Sequence, residues 1–222
     1  MPLSAVVYTS NESFAFLKLL MRKRFEGLAI KPYTLSFAHK QEAGVVRVRA
    51  TELTPDTLTP LLADMVAKGE AVLASPADRD VRRAAYGDLI GEADRSRRIV
   101  NVQYASPTIV ALAGEGTPFP VVSAVFGRYR EVWNAFSDVE LPEADIEALR
   151  HVRVADFKIS CAATPFGTGA EGWVTLEMEQ GRTEREIALF NGLVDFAFYC
   201  GTGAYTEEGL GQTRKVPPSR PK

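Results

Sequence analysis

Cys200-Gly201-Thr202-Gly203-Ala204-Tyr205-Thr206-Glu207-Glu208-Gly209-Leu210-Gly211-Gln212-Thr213-Arg214 carries four glycines within eleven residues. Before it, residues 183–199 place apolar side chains at helical spacing behind Thr183; after it, residues 212–216 read as a short strand. Dinucleotide fingerprints and P-loops run in the opposite order, strand to glycines to helix, so that a helix N-terminus faces the phosphates. Here the helix comes first and no Gly-Lys-Ser/Thr follows, which disfavours a nucleotide cofactor. Two readings remain. The glycines make a helix-to-strand connection with a glycine cap, or their bare backbone lets a large anionic ligand come close.

Outward from the loop, the chain reads as two similar halves. In the second, a strand at 99–104, a helix at 121–136, alternating strands at 152–161 and 173–178, the helix at 183–199 and the terminal strand approach a β-α-β-β-α-β order. In the first, Thr9 with Glu12 reads as a capping box opening a helix to about Arg24. Strands at 33–37 and 45–48, a helix at 58–67 and a short strand at 72–74 follow. Nothing before residue 3 supplies a first strand, so this half is expected to be abbreviated. The reading is α+β, two ferredoxin-like (RRM-like) domains in tandem: residues 1–97, then 98–216 with the glycine loop 201–211, then a disordered tail 217–222.

The 222 residues are 46% hydrophobic, 24% charged and carry a net charge of −2, enough to bury a core in one large or two small domains. No apolar run reaches the ~18 residues of a membrane span, and no signal-peptide layout opens the chain, so a cytoplasmic location is expected. Cys161 and Cys200 have no metal-ligand spacing and sit in apolar surroundings, where buried filler is the expected role. Affinity for phosphate would have to come from local clusters: Arg22-Lys23-Arg24, Arg128 with Arg130, and the arginines between 79 and 98. Cations at 22–24 also complement a helix C-terminus.

The order helix, Gly201-Thr202-Gly203, Thr206, Gly209-Leu210-Gly211-Gln212, Arg214 resembles the C-terminal glycine-rich loop of the RAMP superfamily. Within it the chain resembles the CRISPR-associated endoribonucleases that process precursor crRNA. Tyr104-Ala105-Ser106-Pro107-Thr108, Arg130 with Trp133-Asn134-Ala135-Phe136 and Lys31-Pro32-Tyr33-Thr34-Leu35-Ser36 are similar to further segments of that family, in the same chain order. The resemblance implies two RAMP domains, a CRISPR repeat hairpin as partner and other effector-complex subunits as candidate partners. It also implies cleavage without metal or cofactor: a ribose 2′-hydroxyl attacks the adjacent phosphate, leaving a 2′,3′-cyclic phosphate and a 5′-hydroxyl.

That reaction needs a base, an acid and a cation. Of two histidines, His39 follows a predicted strand in the domain to which the resemblance assigns catalysis, and His151 opens a strand and is read as structural. By resemblance Tyr8 matches a tyrosine that some members carry on the first helix. Lys31 matches a transition-state cation, and Arg24 stands where many members have a histidine. Arginine keeps its proton at any working pH, so Arg24 can clamp phosphate but cannot act as a base. Arg22, Lys23, Arg128, Arg130, Gly201, Gly203, Gly209, Gly211, Gln212 and Arg214 are the expected RNA contacts. A non-catalytic RAMP scaffold holding a crRNA end, and a ferredoxin-like interaction module without RNA, stay open as alternatives.

Overall fold

The computed structural model describes residues 1–41, 44–112 and 115–217. Of the expected tail, residues 218–222 lie outside that description. The chain divides into two compact units, Met1–Ala84 with Glu207–Gly209, and Ala85–Thr206 with Leu210–Lys222.

The N-terminal unit runs β1 (Leu3–Ser10), α1 (Asn11–Arg24), β2 (Tyr33–Leu35), β3 (His39–Lys40), β4 (Val45–Glu52), α2 (Thr59–Ala67), β5 (Ala71–Leu73) and β6 (Arg82–Arg83). Its antiparallel sheet has the order β2-β4-β1-β5, the ferredoxin-like arrangement, with β3 on β4 and β6 on β1. The first strand that the sequence reading found missing is therefore present and central. Starting at Leu3, it pairs residue by residue with β4, from Leu3↔Glu52 to Ser10↔Val45. It escaped notice because Ala5-Val6-Val7 interrupts strict alternation, Val6 and Val7 both being buried on opposite faces. Val7, Val48, Ala50 and Ala71 face Phe14, Leu17 and Met21 of α1 and Leu62 and Met65 of α2.

The expected capping box at Thr9 is also corrected. Ser10 caps α1, its Oγ accepting from Ser13 N at 3.0 Å, while Thr9 Oγ1 donates to Glu70 O at 2.7 Å. The start of α2 is held by Glu52 at the far end of β4, whose carboxylate accepts from Leu58 N, Thr59 N and Thr59 Oγ1 at 2.9–3.1 Å. An anion at a helix N-terminus is doubly favoured there, by free N–H groups and by the dipole.

The C-terminal unit runs α3 (Tyr86–Gly91), β7 (Ile99–Thr108), the small hairpin β8 (Val110–Leu112) and β9 (Glu115–Thr117), α4 (Val122–Phe136), α5 (Glu143–Ala148), β10 (Val152–Thr164), β11 (Gly167–Met178), α6 (Glu184–Cys200) and β12 (Thr213–Val216). The sheet order β10-β11-β7-β12 is again ferredoxin-like and antiparallel. The β10–β11 hairpin is longer than the sequence reading, chiefly because β11 begins at Gly167, in a stretch whose three glycines and lack of large apolar side chains give no strand signal. Cys161 is exposed on β10, so the expectation of a buried filler holds only for Cys200. Thr183 and Glu186 form a reciprocal capping box on α6. Buried Asn191 of α6 donates to the carbonyls of Asp94, Arg97 and Ile187 at 2.7–3.0 Å. Trp133 of α4 meets Phe196 of α6 and Tyr86 of α3 edge-on, and the latter two are tilted against each other, with centroids 4.9–5.6 Å apart.

At the end of α6 the chain turns at Gly201 and locks onto the end of β7. Thr202 N donates to Gly211 O at 2.8 Å, Gly211 N to Pro107 O at 2.9 Å and Ala204 N to Ile109 O at 2.9 Å. Gln212 N donates to Ser106 Oγ at 2.9 Å. Gly203 has φ +81° and its absent Cβ would stand 2.1 Å from Ile109 O; at Gly211, φ is +67° and the obstacle is Thr202 O, also at 2.1 Å. Gly181 has a similar φ of +79° and open space. Gly203→Ala and Gly211→Ala should therefore each destabilise the chain by about 2 kcal/mol or more, against about 1 kcal/mol for Gly181→Ala. Denaturant midpoints check this ordering, and equal losses at all three positions would contradict it.

Candidate functional site

Direct cross-strand pairs in an antiparallel sheet project to the same face. His39 pairs with Arg47 and Arg47 with Tyr8, which pairs in turn with Val72. The two acid–base candidates thus flank one arginine in a single row, on the face opposite α1 and α2. With strands ~4.8 Å apart, their Cα atoms are about 10 Å apart. Sequence alone hid this, since the three residues come from three strands and Tyr8 sits on β1 and not on a helix.

Arg47 is fixed in place. Its guanidinium donates to Asp78 at 3.1 Å and to Asp80 at 2.9 Å. Burial opposes its charge, but hydrogen bonds with Asp80, Asp78 and Tyr8 outweigh that and raise its pKa. Asp78 is held below the usual carboxylate range, chiefly by the backbone N–H of Asp80 and then by Arg47. Beside the row is a groove of about 640 Å³, lined among others by Tyr8, Ser10, Ser13, Val45 and Glu70. His39 is exposed.

A second cluster meets the first through the glycine-loop tip, Glu207–Gly209, which belongs to this unit. Glu208 pairs with Lys18 at 2.8 Å and with Arg22 at 2.6 Å, two cations one turn apart on α1. Burial would raise the Glu208 pKa, yet the hydrogen bonds from Lys18 and Arg22 prevail and lower it. Gly209 lies against Phe37: a Cβ there would come 2.6 Å from the ring and 3.0 Å from Phe37 N. His39 follows Phe37 by two residues, at most about 7 Å of chain. His39 is thus within reach of the loop tip.

Other predicted residues are placed elsewhere. Lys31 Nζ donates to Phe25 O at 2.8 Å and Leu28 O at 2.7 Å, clasping the connection between α1 and β2. Arg24 lies over the Phe25 ring, 5.3 Å from its centroid, and Lys23 is exposed beside it. Neither Lys31 nor Arg24 enters the His39–Arg47–Tyr8 row. In the C-terminal unit, Arg128 pairs with Glu131 at 3.0 Å. Arg130 donates to Leu141 O at 2.8 Å and pairs with Glu143. Gln212 is buried, and Arg214 on β12 pairs in register with Gln103. His151 meets Glu179 at 2.9 Å.

The glycines differ from the sequence reading in one respect. Their missing side chains make room for the protein's own backbone or side chains: Gly201 for Thr206, Gly203 for Ile109, Gly209 for Phe37 and Gly211 for Thr202. Behind them Thr202 Oγ1 meets Tyr129 OH at 2.5 Å and Thr213 Oγ1 at 2.7 Å, all buried. Burial pushes the Tyr129 phenol well above its ordinary pKa. Among the described residues no group of His, Cys, Asp and Glu could hold a metal ion, and no helix is long and apolar enough to cross a membrane.

This geometry has close structural counterparts. A Cas6 protein in a product complex matches with a TM-score of 0.80 and 20% identity over 97% of this chain and 99% of its own. A histidine-to-alanine variant of Cas6 matches with a TM-score of 0.77 and 20% identity, over 98% and 100%. A Cas6 from Thermus thermophilus gives 0.76 and 22%, over 97% and 98%. No curated protein matches the sequence. The family model for the CRISPR-associated endoribonuclease Cas6 matches residues 102–213, from the middle of β7 through the glycine loop to the start of β12. With half of its length so matched, the chain belongs to the Cas6 family of CRISPR-associated endoribonucleases.

Proposed function

We propose that this chain cleaves CRISPR repeat RNA to mature crRNA without a metal ion and keeps the repeat hairpin bound afterwards. The observation that carries the reading is the convergence of His39, Arg47 and Tyr8 in one row, with the tip of the family's glycine loop packed on Phe37, two residues before His39. In the proposed step the ribose 2′-oxygen attacks phosphorus and loses its proton to a base. The bond from phosphorus to O5′ breaks, and O5′ takes a proton from an acid. The products are a 2′,3′-cyclic phosphate and a 5′-hydroxyl, so no water is consumed.

His39 is the residue for proton transfer, since imidazole alone among ordinary side chains exchanges its proton near neutral pH. Tyr8 supplies a phenol O–H at the other end of the row, and Arg47 between them, held in place by Asp78 and Asp80, presents a guanidinium to which a phosphoryl oxygen can hydrogen-bond. A matched relative whose structure is that of a histidine-to-alanine variant supports looking first at a histidine. Lys31 and Arg24, bound into the α1–β2 connection, act on its shape in this reading. Lys18 and Arg22 are the phosphate contacts nearest the site, and Glu208 is the counter-charge that RNA displaces.

His39→Ala should slow repeat cleavage about 10²–10⁴-fold while repeat affinity stays within a few-fold, because a proton-transfer group acts mainly in the transition state. Single-turnover rates and binding isotherms on one repeat hairpin check both. Wild-type cleavage by His39→Ala would contradict the assignment, and an intact chain that binds tightly without cutting would mark a scaffold.

Glu208→Gln should tighten hairpin binding and steepen its salt dependence, by about 0.7 to 0.9 in log–log slope for each new phosphate contact. Titrations across ionic strength check this; weaker binding would make Glu208 an organiser of the loop tip instead.

A further inference from the structure

The open face of the C-terminal sheet carries a second row, far from the glycine loop in purpose. Along β7, Val100, Val102 and Tyr104 are buried on one face, while on the other Ile99, Gln103 and Ala105 are exposed and Asn101 is covered. The register runs Lys158↔Trp173 from β10 to β11, Trp173↔Gln103 to β7 and Gln103↔Arg214 to β12. One row of the sheet therefore reads Lys158, Trp173, Gln103, Arg214, an indole in the middle with a cation at each end. The neighbouring row contains Asn101 and Val216. Asn101 is held there, its Oδ1 accepting from Thr175 Oγ1 at 2.8 Å.

Against this row lies a cavity of about 210 Å³, lined by Asn101, Gln103, Trp173, Val216 and Pro217. It falls below the roughly 300 Å³ at which pockets for drug-sized ligands begin, and suits a single planar ring. Its furnishing fits that size: an indole to stack on, an apolar wall from Val216 and Pro217, and the Gln103 amide with both donor and acceptor. A four-stranded antiparallel sheet that stacks unpaired bases on central aromatics is a recurrent way of holding single-stranded RNA, and cations beside the aromatics track its phosphates. None of the RNA-binding expectations from sequence included Trp173, Gln103 or Lys158.

We propose that this face is a single-strand RNA site, in which one unpaired base stacks on Trp173 against Gln103 while Lys158 and Arg214 take the flanking phosphates. The inference rests on the chain being an RNA-processing protein, and it adds a second place of contact, for the unpaired part of the repeat transcript.

The chain has two tryptophans, and Trp133 is fully buried with its Nε1 donating to Val139 O at 2.7 Å, so Trp173 is the reporter. The probe is a short oligoadenylate added to the full chain. It should quench tryptophan emission, and Trp173→Phe should abolish the quenching while binding, read by anisotropy of labelled oligoadenylate, stays within a few-fold. Trp173→Ala should weaken binding roughly five- to 150-fold, the measured range for one base stacked on an aromatic. Lys158→Gln should lower the salt slope by about 0.7, one single-strand phosphate contact.

Absence of quenching by oligoadenylate, or unchanged affinity in Trp173→Ala, would overturn the proposal. Repeat-hairpin cleavage is measured on the same variants. Cleavage with no oligoadenylate binding sinks this site alone; quenching without cleavage sinks the nuclease reading alone.

Discussion

Two carbonyls govern the C-terminal unit. Ile109 O occupies the space where Gly203 would carry a Cβ, and Thr202 O the space where Gly211 would. Because both side chains are missing, the strand end Ser106–Ile109 and the two limbs of the glycine loop lie backbone against backbone, and their N–H and C=O groups pair directly. Buried Thr202, joined to Tyr129 and Thr213, fills the centre of this lock with hydroxyls satisfied by one another. An unmade bond in such a place would leave a buried polar group costing about 1–3 kcal/mol. The Ser-Pro-Thr strand end and the glycine loop, distant in sequence, are two halves of one device. Pinning both limbs is also what gives the excursion between them a defined tip, the Glu207–Gly209 segment that folds as part of the N-terminal unit.

Electrostatics in this chain is local. With a net charge of −2, affinity for RNA has to come from cations that folding gathers, and the fold gives most of them an internal duty. Arg47 is bound to Asp78 and Asp80, Lys18 and Arg22 to Glu208, Arg130 to Leu141 O and Glu143. These pairs differ in what a phosphate could do to them. Arg47, beside an almost fully buried Asp80, is a fixed charge; Arg22 keeps about two-thirds of its side chain in solvent and can turn to a new partner. The Arg22 pair is exposed on the arginine side alone, and a phosphate that takes Arg22 leaves Glu208 its bond to Lys18.

Much of the architecture was legible in the sequence. Helical periodicity and caps placed α2, α4 and α6 within a residue or two, and the second ferredoxin-like order emerged from strands that alternate cleanly. The first strand was not legible, because Leu3–Ser10 is buried on both faces and so lacks alternation. Of the proposed acid–base pair, residue type pointed to His39 and the family resemblance to Tyr8. Their common neighbour Arg47 depends on strand register, which no local pattern reveals. The glycines were legible as a device, with two readings left open for what comes close to them. A missing Cβ signals close approach without saying by what, and here the neighbour is the protein itself. Lys31 shows the reverse limit: a lysine in a suggestive motif can be consumed by two carbonyls a few residues away.

The central claim is that a row of protein side chains in the N-terminal unit, with no metal, drives an internal attack by the RNA's own 2′-hydroxyl. End-group analysis of the products tests it most directly. Repeat RNA is incubated with the full chain in excess chelator, and the fragments are weighed by mass spectrometry. The account predicts undiminished cleavage, with a 2′,3′-cyclic phosphate on the upstream fragment and a 5′-hydroxyl on the downstream one. Cleavage that stops with chelator, or fragments ending in 3′-hydroxyl and 5′-phosphate, would contradict it.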